Sequence, residues 1–357
     1  GGYTAIPWLN YPKISTVIPG VQKSRYVIVT ANSKVGKTQL ADSLFVHEPT
    51  NFMLQEKPEN IDLKIFYFSL EMSKRHKALA FISNALYMNH GYSISIEDLE
   101  SQFRNYILPD EVLKHIYALE KEFAEKEKYI EIIDNIRNPY GIYKYIKTFY
   151  EQNGTYKYKE IDWEKDGKIE KRKVIDKYIP NNPNLYVILV VDHVSLLTPE
   201  KTSGNTLHGA MGKWSSDHCL ELRDKYNTTV VNVQQQSAAS EEQQFTSRGS
   251  TIVDKIKPTP DGLGDNKLTG RDCDLMLGLF APHRYGIANH NGYPILSGNT
   301  PMKDNYREFL VMLNRRGSSN KVVNLFFDGR CNLFKELPSP NDSLMERVFE
   351  TINNLRN

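Results

Sequence analysis

The segment 25–47 limits the possible folds of this chain more than any other part of its sequence. An apolar run with β-branched residues, 25–30 (RYVIVT), is followed by the loop 31–38 (ANSKVGKT), and a predicted helix occupies residues 38–47. A strand, a loop ending in Gly-Lys-Thr and a helix, in this order, form the setting in which a chain wraps the phosphates of a nucleotide. Because such a strand is buried and the helix packs on it, the segment predicts an α/β domain.

The loop itself has the chemistry of a phosphate site. Backbone N–H groups of such a loop, together with the N-terminus of the following helix, face the anion. Lys37 is expected to reach the β- and γ-phosphates of ATP, and Thr38 to place its hydroxyl on Mg²⁺. The predicted nucleotide-binding residues are Ser33, Lys34, Val35, Gly36, Lys37 and Thr38. Ala31 holds the place of the usual first glycine, and a chance match of the motif is the alternative.

Further apolar runs predict a mostly parallel sheet with helices on both faces. Residues 186–191 form a continuous apolar run, and 64–69 and 228–233 are predicted to be strands as well. Runs without alternation are typical of strands that are buried on both faces. Helical periodicity appears in 74–89, 111–128, 207–226 and 343–355. Strands that alternate with helices predict βαβ units and a parallel sheet.

Two carboxylates follow predicted strands and are candidates for the chemistry of a nucleotide site. Asp192 ends the run 186–191 and is predicted to bind Mg²⁺. His193 follows it, so the base that activates water must come from elsewhere in the chain. Glu71 lies just past the strand 64–69; if this strand neighbours the phosphate-loop strand, its carboxylate reaches the same rim and can act on water. The alternatives are an aspartate that only ends a strand and an acid favoured at a helix start.

The chain is predicted to be a single domain, 1–357, with an insertion at about 90–184. Its length fits one large α/β domain with an insertion as well as two domains. Within the insertion, the charged part 150–184 predicts a hairpin of residues 156–163 against 168–174. Basic residues there are nearly balanced by acidic ones, which favours a solvated surface over a binding arm.

Composition excludes several classes of protein. The formal net charge of +2 provides no basic field over the whole protein, so contacts to nucleic acid must come from local patches. The longest clean apolar run, 185–191, is far shorter than the ~20 residues that cross a bilayer, so no membrane partner is expected. Three scattered cysteines argue against a disulfide framework and a cysteine zinc site. The first residues lack a signal-peptide pattern, and a cytoplasmic location is expected.

Beyond the phosphate loop, five motifs follow one another along the chain. They are 67–72 (YFSLEM), 190–197 (VVDHVSLL), 230–236 (VVNVQQQ), 261–274 (DGLGDNKLTGRDCD) and 313–317 (LNRRG). Together with the loop, they resemble the RecA-like motor domain of DnaB-type replicative helicases, particularly divergent phage members. The resemblance covers 11–89 and 185–337, and the family's own loop also often begins with alanine. It implies a RecA-like P-loop ATPase with a mostly parallel sheet flanked by helices and one long insertion.

The resemblance also implies roles for single residues. Glu71 matches the family's catalytic carboxylate, and Gln235 matches its polar sensor between the nucleotide and the DNA loops. Arg315 matches the arginine finger that acts in trans on a neighbouring subunit's nucleotide, with Arg316 as the adjacent alternative. The implied protein is an ATP-dependent DNA helicase or translocase of DNA replication that forms a homo-oligomer, a hexamer by analogy. Its implied partners are single-stranded DNA and primase or other replisome proteins, in the host cytoplasm if a phage encodes it.

The long polar segment 237–270 is predicted to carry the loop that contacts DNA. It follows the strand with Gln235, so a movement at the γ-phosphate can reach it. Its predicted phosphate-contacting residues are Arg248, Lys255, Lys257 and Lys267. Phe245 is its one aromatic residue, so contacts to the DNA backbone should dominate over base stacking. A solvated connection is the alternative.

Two other functions remain open at this point. The first is an ATP-gated scaffold or loader that binds DNA or partners without unwinding. It is favoured by the long insertion, by Leu313 in place of a family lysine and by the absence of an N-terminal helical domain before Tyr11. The second is a metabolic P-loop kinase, which the motifs downstream of the phosphate loop disfavour.

Overall fold

The computed structural model describes residues 3–105, 107–238 and 253–357, which are organised around one large sheet. The strands are β1 (Arg25–Ala31), β2 (Asp62–Ser69), β3 (Ile130–Ile133), β4 (Gly154–Lys165), β5 (Lys168–Pro180), β6 (Leu185–Asp192), β7 (Thr229–Gln235), β8 (Leu275–Phe280), β9 (Asn289–His290), β10 (Tyr293–Pro294), β11 (Tyr306–Asn314), β12 (Lys321–Asp328) and β13 (Leu333–Glu336). Nine of them form a sheet in the order β13-β12-β11-β8-β1-β7-β6-β2-β3. From β8 to β3 neighbouring strands are parallel, whereas β11, β12 and β13 add an antiparallel edge.

Helices cover both faces of this sheet. They are α1 (Lys37–Asp42), α2 (Glu48–Glu56), α3 (Lys74–His90), α4 (Ile96–Asn105), α5 (Asp110–Glu127), α6 (Pro139–Gln152), α7 (Leu207–Lys213), α8 (Leu220–Tyr226), α9 (Val253–Ile256), α10 (Thr269–Asp272) and α11 (Met345–Arg356). A π-helical turn joins α1 to α2, and another joins α7 to α8. None of the helices in the described ranges is long and apolar enough to cross a membrane.

The central strand β1 shows why its sequence is apolar without alternation. Val27 and Val29 point into the core that also contains Leu40 and Leu44 of the helix after the phosphate loop. Tyr26 and Ile28 point into a second core on the opposite face, under α6 and α7. Both faces are therefore buried, as predicted for a parallel strand between two helical layers. The predicted α/β class with a mostly parallel sheet flanked by helices is confirmed.

The order of the strands differs from one assumption made from the sequence. The strand β2, which precedes Glu71, is not a neighbour of β1, because β7 and β6 lie between them. The order of strands in a parallel sheet is set by the crossovers, which the local sequence does not encode. All four strands nevertheless run in the same direction, so their carboxyl ends meet at one rim. We call this edge, where β1, β7, β6 and β2 end, the carboxyl rim.

The interval 90–184 has a finer division than the sequence suggested. Within it, β3 pairs with β2 and extends the main sheet, and α6 buries Ile142 and Ile146 in the core. The structure has a hairpin of β4 and β5, with pairs running from Gly154 and Pro180 to Lys165 and Lys168, so both strands are longer than the predicted 156–163 and 168–174. This hairpin pairs with itself and not with the main sheet.

Candidate nucleotide-binding site

The phosphate loop joins β1 to α1 in a conformation that requires positive backbone angles. Lys34 has φ 63° and Gly36 has φ 117°, and alternating conformations of this kind turn successive N–H groups toward a common point. A Cβ on Gly36 would meet the Phe327 ring at 3.3 Å, so glycine also fits the packing behind the loop. The helix then begins with the bond from Leu40 N to Gly36 O, at 2.9 Å.

Two arginines hold the loop by its carbonyl groups. Arg284 Nη1 donates to Ser33 O at 2.7 Å, and Arg307 Nε donates to Val35 O at 2.8 Å. Arg307 is 1% exposed and lies 4.4 Å above the Phe327 ring, and its Nη2 donates to Asp304 at 2.7 Å. Sequence reasoning missed this residue. The available signal was a charged pair, Arg307-Glu308, inside the otherwise apolar strand β11.

Two predicted catalytic residues, Lys37 and Glu71, and the predicted metal ligand Asp192 interact electrostatically at the carboxyl rim. Burial lowers the pKa of the Lys37 ammonium, and the carboxylates of Asp192 and Glu71 oppose this shift. Glu71 is 64% exposed, and its Oε2 lies 3.6 Å from Nε2 of His193. Burial also lowers the pKa of His193, which keeps this ring neutral near pH 7 beside Glu71. The structure therefore brings together the residues that the sequence assigned to phosphate, metal and water.

A buried network supports Asp192 from below. The Tyr67 hydroxyl donates to Asp42 Oδ1 at 2.6 Å and lies 3.2 Å from Asp192 Oδ2. The other oxygen of Asp42 forms a buried ion pair with Lys77. Burial raises the pKa of Asp42, and the Lys77 ammonium opposes this rise. Tyr67, Asp42 and Lys77 were not predicted as site residues; Tyr67 lies in the motif 67–72, but its hydroxyl partners depend on distant residues.

One oxygen of Asp192 is suited to a cation. Its Oδ1 is buried and has no hydrogen-bond partner among the described residues, although buried polar atoms are almost always bonded. Mg²⁺ usually takes one or two carboxylates and completes its shell with water and substrate phosphates. In the described ranges, no group of three or more histidine, cysteine or acidic side chains is arranged to hold a metal ion. Asp192 therefore fits the Mg²⁺ of a nucleotide complex, and the metal contact of Thr38 stays a prediction.

The glutamines at the end of β7 connect the rim to the following loop. Gln234 Nε2 donates to Gly264 O at 2.9 Å, and Gln236 Nε2 donates to Thr30 Oγ1 at 3.0 Å. Gln235 is half-buried between them and pairs with Ala31, the first residue of the phosphate loop. This position is compatible with the predicted sensor role, which stays a prediction.

The predicted DNA-contacting residues differ in whether the structure describes them and in whether their charges are paired. Arg248 and the side chain of Lys255 lie outside the described residues, and Lys267 is exposed. Lys257 donates to the buried carboxylate of Glu308 at 2.8 Å. Glu308 also bonds His290, at 2.7 Å. Because its ammonium is paired inside the protein, Lys257 is not available for the predicted contact with a DNA phosphate.

Arg315 lies near the amino ends of the parallel strands, on the side of the sheet opposite to the carboxyl rim and the phosphate loop. Its backbone N donates to Asp274 O at 2.9 Å, and Asp274 in turn accepts from Tyr26 N, near the start of β1. Its guanidinium donates to Cys273 O and Arg271 O, both at 2.7 Å. The phosphate loop follows the other end of β1, roughly 20 Å away at ~3.3 Å per residue. Arg315 therefore cannot reach the phosphates of a nucleotide bound to its own chain.

Comparisons with known proteins give matches among solved structures. No model of a protein family and no curated protein matches the chain. A solved ATPase domain superposes with a TM-score of 0.65 at 18% identity, over 95% of this chain and 93% of that one. A DnaB-like replicative helicase, described with its interactions with primase, gives 0.65 at 17%, over 95% of this chain and 63% of its own. A KaiC-like protein from Pyrococcus horikoshii is more distant, at 0.43 and 13%. The chain thus has the RecA-like fold of DnaB-type ATPase domains.

The buried network makes a prediction about metal dependence. Tyr67→Phe should raise the Mg²⁺ concentration that half-saturates binding of a fluorescent ATP analogue by roughly 10-fold, because groups that orient a metal ligand contribute about 10- to 100-fold in affinity. The matched control is Tyr26→Phe, which removes a buried hydroxyl bonded to Ser215 on the other face of the sheet. An equal Mg²⁺ dependence in both variants would show that Tyr67 does not hold Asp192 for the metal.

Proposed function

We propose that this chain, which has the fold of a DnaB-type ATPase domain, hydrolyses ATP at interfaces between copies of itself. It uses the hydrolysis to move along single-stranded DNA and to separate strands during DNA replication. One observation carries the proposal: the phosphate loop and Arg315 lie at opposite ends of β1. A site assembled from both edges needs a second copy of the chain.

The two edges suit a head-to-tail arrangement. If the edge with Arg315 of one copy meets the carboxyl rim of the next, each nucleotide has residues of two chains around it. Contacts of this kind repeat from copy to copy and close into a ring when the rotation allows. We propose a hexameric ring, by analogy with the family that the sequence motifs resemble.

Each residue has a defined task in the proposed reaction. Lys37 compensates charge on the β- and γ-phosphates, and Thr38 and Asp192 hold Mg²⁺, which neutralises phosphate charge when it is bound. Glu71 orients the attacking water and accepts its proton. Arg315 of the neighbouring copy stabilises the charge that develops as the terminal phosphate departs. Gln235 lies between this site and the following loop and reports the state of the nucleotide.

Contacts to DNA are proposed for the segment 237–270. Arg248, Lys255 and Lys267 are the residues for which we keep this role. A link between the nucleotide site and this segment is supported by Gln234, whose side chain donates from the end of β7 to Gly264 O and Asn266 O. A contact with primase is a further proposal. Its support is the DnaB-like helicase of similar fold, which is described with its interactions with primase.

Glu71→Gln should bind ATP with unchanged affinity and lose turnover by ~10²–10⁴-fold, because the amide keeps the shape and cannot accept the proton. Steady-state phosphate release and equilibrium binding of labelled ATP measure the two effects separately. Glu48→Gln, a change of the same type at a buried site on α2, is the control and should keep its turnover. Normal turnover in Glu71→Gln would mean that the base is another residue.

When it is tested by itself, Arg315→Ala should have almost no ATP hydrolysis, since an arginine finger contributes ~10³–10⁵ in rate. Mixed with Lys37→Ala, which is also inactive, it should recover part of the activity, because one kind of mixed interface contains both Lys37 and Arg315. Phosphate release is measured across mixing ratios with co-assembly checked by mass. Arg316→Ala is tested in parallel as the adjacent alternative. If the two variants co-assemble but no ratio recovers hydrolysis, the result would contradict a nucleotide site shared between two copies.

Lys267→Ala should weaken binding of single-stranded DNA of any sequence. The salt slope, by which we mean the magnitude of the slope of log affinity against log salt concentration, should fall by ~0.7, the value for one lost phosphate contact. Lys303→Ala, outside the proposed segment, serves as the control for a lost charge. Anisotropy of a labelled oligonucleotide at several salt concentrations measures both quantities. An unchanged slope would remove Lys267 from the DNA contacts.

A strand-displacement assay separates the proposed helicase from an ATP-gated scaffold. A helicase should release a labelled strand from a forked duplex in the presence of ATP, and Glu71→Gln should not. ATP hydrolysis stimulated by single-stranded DNA without any strand release would favour the scaffold.

A further inference from the structure

The hairpin of β4 and β5 is a long arm that is anchored at its root. Its two strands pair over their whole length, which corresponds to roughly 40 Å at ~3.4 Å per residue. At the root, the Tyr156 hydroxyl lies 2.7 Å from the Tyr226 hydroxyl, and the Tyr178 hydroxyl donates to Tyr150 O at 2.8 Å. The rings of Tyr150 and Tyr226 stack at 4.4 Å. The arm therefore leaves the protein from a fixed, packed base.

The charges of the arm are divided between its two faces. Side chains directly opposite in an antiparallel pair share a face, so the register assigns each residue to one side. One side, which we call the basic face, carries the cations Lys157, Lys159, Lys165, Lys168, Arg172 and Lys177. The other side, the mixed face, carries Glu160, Asp162, Glu164, Lys171 and Lys173.

A β-bulge produces this division. The register shifts between Lys157 and Tyr158, so that Asp176 is the extra residue of the opposite strand. Without it, strict alternation would put Lys177 on the side of Lys171 and Lys173. Two acids accompany the basic face: Glu170, which pairs with Trp163, and Asp176, which lies 3.4 Å from Lys159. Six cations against two acids leave this face strongly positive, although the arm as a whole is nearly balanced.

An exposed aromatic ring lies among the cations of the basic face. Trp163 is 44% exposed, and the Arg172 guanidinium lies 4.9 Å from its ring centre. Ile161 and Val174 are half-buried on the same face. Cations with an accessible indole between them match the two features of single-stranded nucleic acid, a phosphate backbone and unstacked bases. An acidic protein surface would match the cations but offers no planar bases for the indole.

We propose that the basic face of the hairpin binds single-stranded DNA. The arm starts at the end of the sheet opposite to the carboxyl rim, because β5 ends at Pro180 and β6 begins shortly after it, at Leu185. The surface is therefore separate from the nucleotide site at the carboxyl rim. The proposal does not require ATP hydrolysis, and so it can be tested whether or not the chain unwinds DNA.

The test compares two double variants of the whole chain that remove the same charge. Lys165→Ala with Lys168→Ala changes the basic face, and Lys171→Ala with Lys173→Ala changes the mixed face. The measurement is the anisotropy of a labelled oligothymidylate without nucleotide, from low to high salt. The basic-face variant should lower the salt slope by about 1.4, which corresponds to roughly 25-fold weaker binding at 0.1 M salt relative to a 1 M reference. The mixed-face variant should stay within about twofold of the parent chain.

The aromatic part of the proposal has its own pair of variants. Trp163→Ala should weaken binding by roughly five- to hundredfold, the range for one stacked base. Tyr158→Ala removes an aromatic residue that is 54% exposed on the mixed face and should have little effect. Basal ATP hydrolysis, measured without DNA, should be unchanged in all of these variants.

Three results would overturn the proposal. The first is equal loss of affinity in the two double variants, which would indicate a general charge effect. The second is no loss in either of them. The third is a duplex of the same length that binds as tightly as the single strand and depends equally on Trp163.

Discussion

The strands β1, β7, β6 and β2 run in the same direction, and the whole candidate site is built on this common direction. Their carboxyl ends meet at one rim, and the phosphate loop, Gln235, Asp192 and Glu71 follow these four ends. Residues that are far apart in sequence thus come together, because the strands that carry them end side by side. The arrangement holds although β2 is three strands away from β1, because direction, and not adjacency, decides which edge a strand end occupies.

Buried charge stabilises this rim from within. Asp192 is joined through the Tyr67 hydroxyl to Asp42, which pairs with Lys77, while Arg307 holds the phosphate loop from the other side. Removing one partner of such a network leaves an uncompensated buried group, which costs several kcal/mol in order of magnitude. One oxygen of Asp192 remains without a partner in the described part of the chain. The network therefore fixes the carboxylate and still leaves it able to accept a cation.

The opposite edge of the sheet has a different character. It carries Arg315, which is beyond the reach of its own nucleotide site, and the root of the hairpin arm. In the functions proposed above, Arg315 acts on the nucleotide of a second copy, and the arm binds single-stranded DNA.

The local elements could be predicted from the sequence: the phosphate loop with Lys37 and Thr38, the apolar strands, and the hairpin with its turn. These follow from the spacing and type of neighbouring residues, which fix backbone preference and burial. Other features became visible only in the folded chain. Folding places β7 and β6 between β1 and β2 and pairs Lys257 with Glu308. It also brings Tyr67 to Asp192 and Arg307 to the phosphate loop, and a bulge at Asp176 places Lys177 on the basic face. Strand order, ion partners and the face of a strand depend on contacts between distant residues, and no local pattern specifies them.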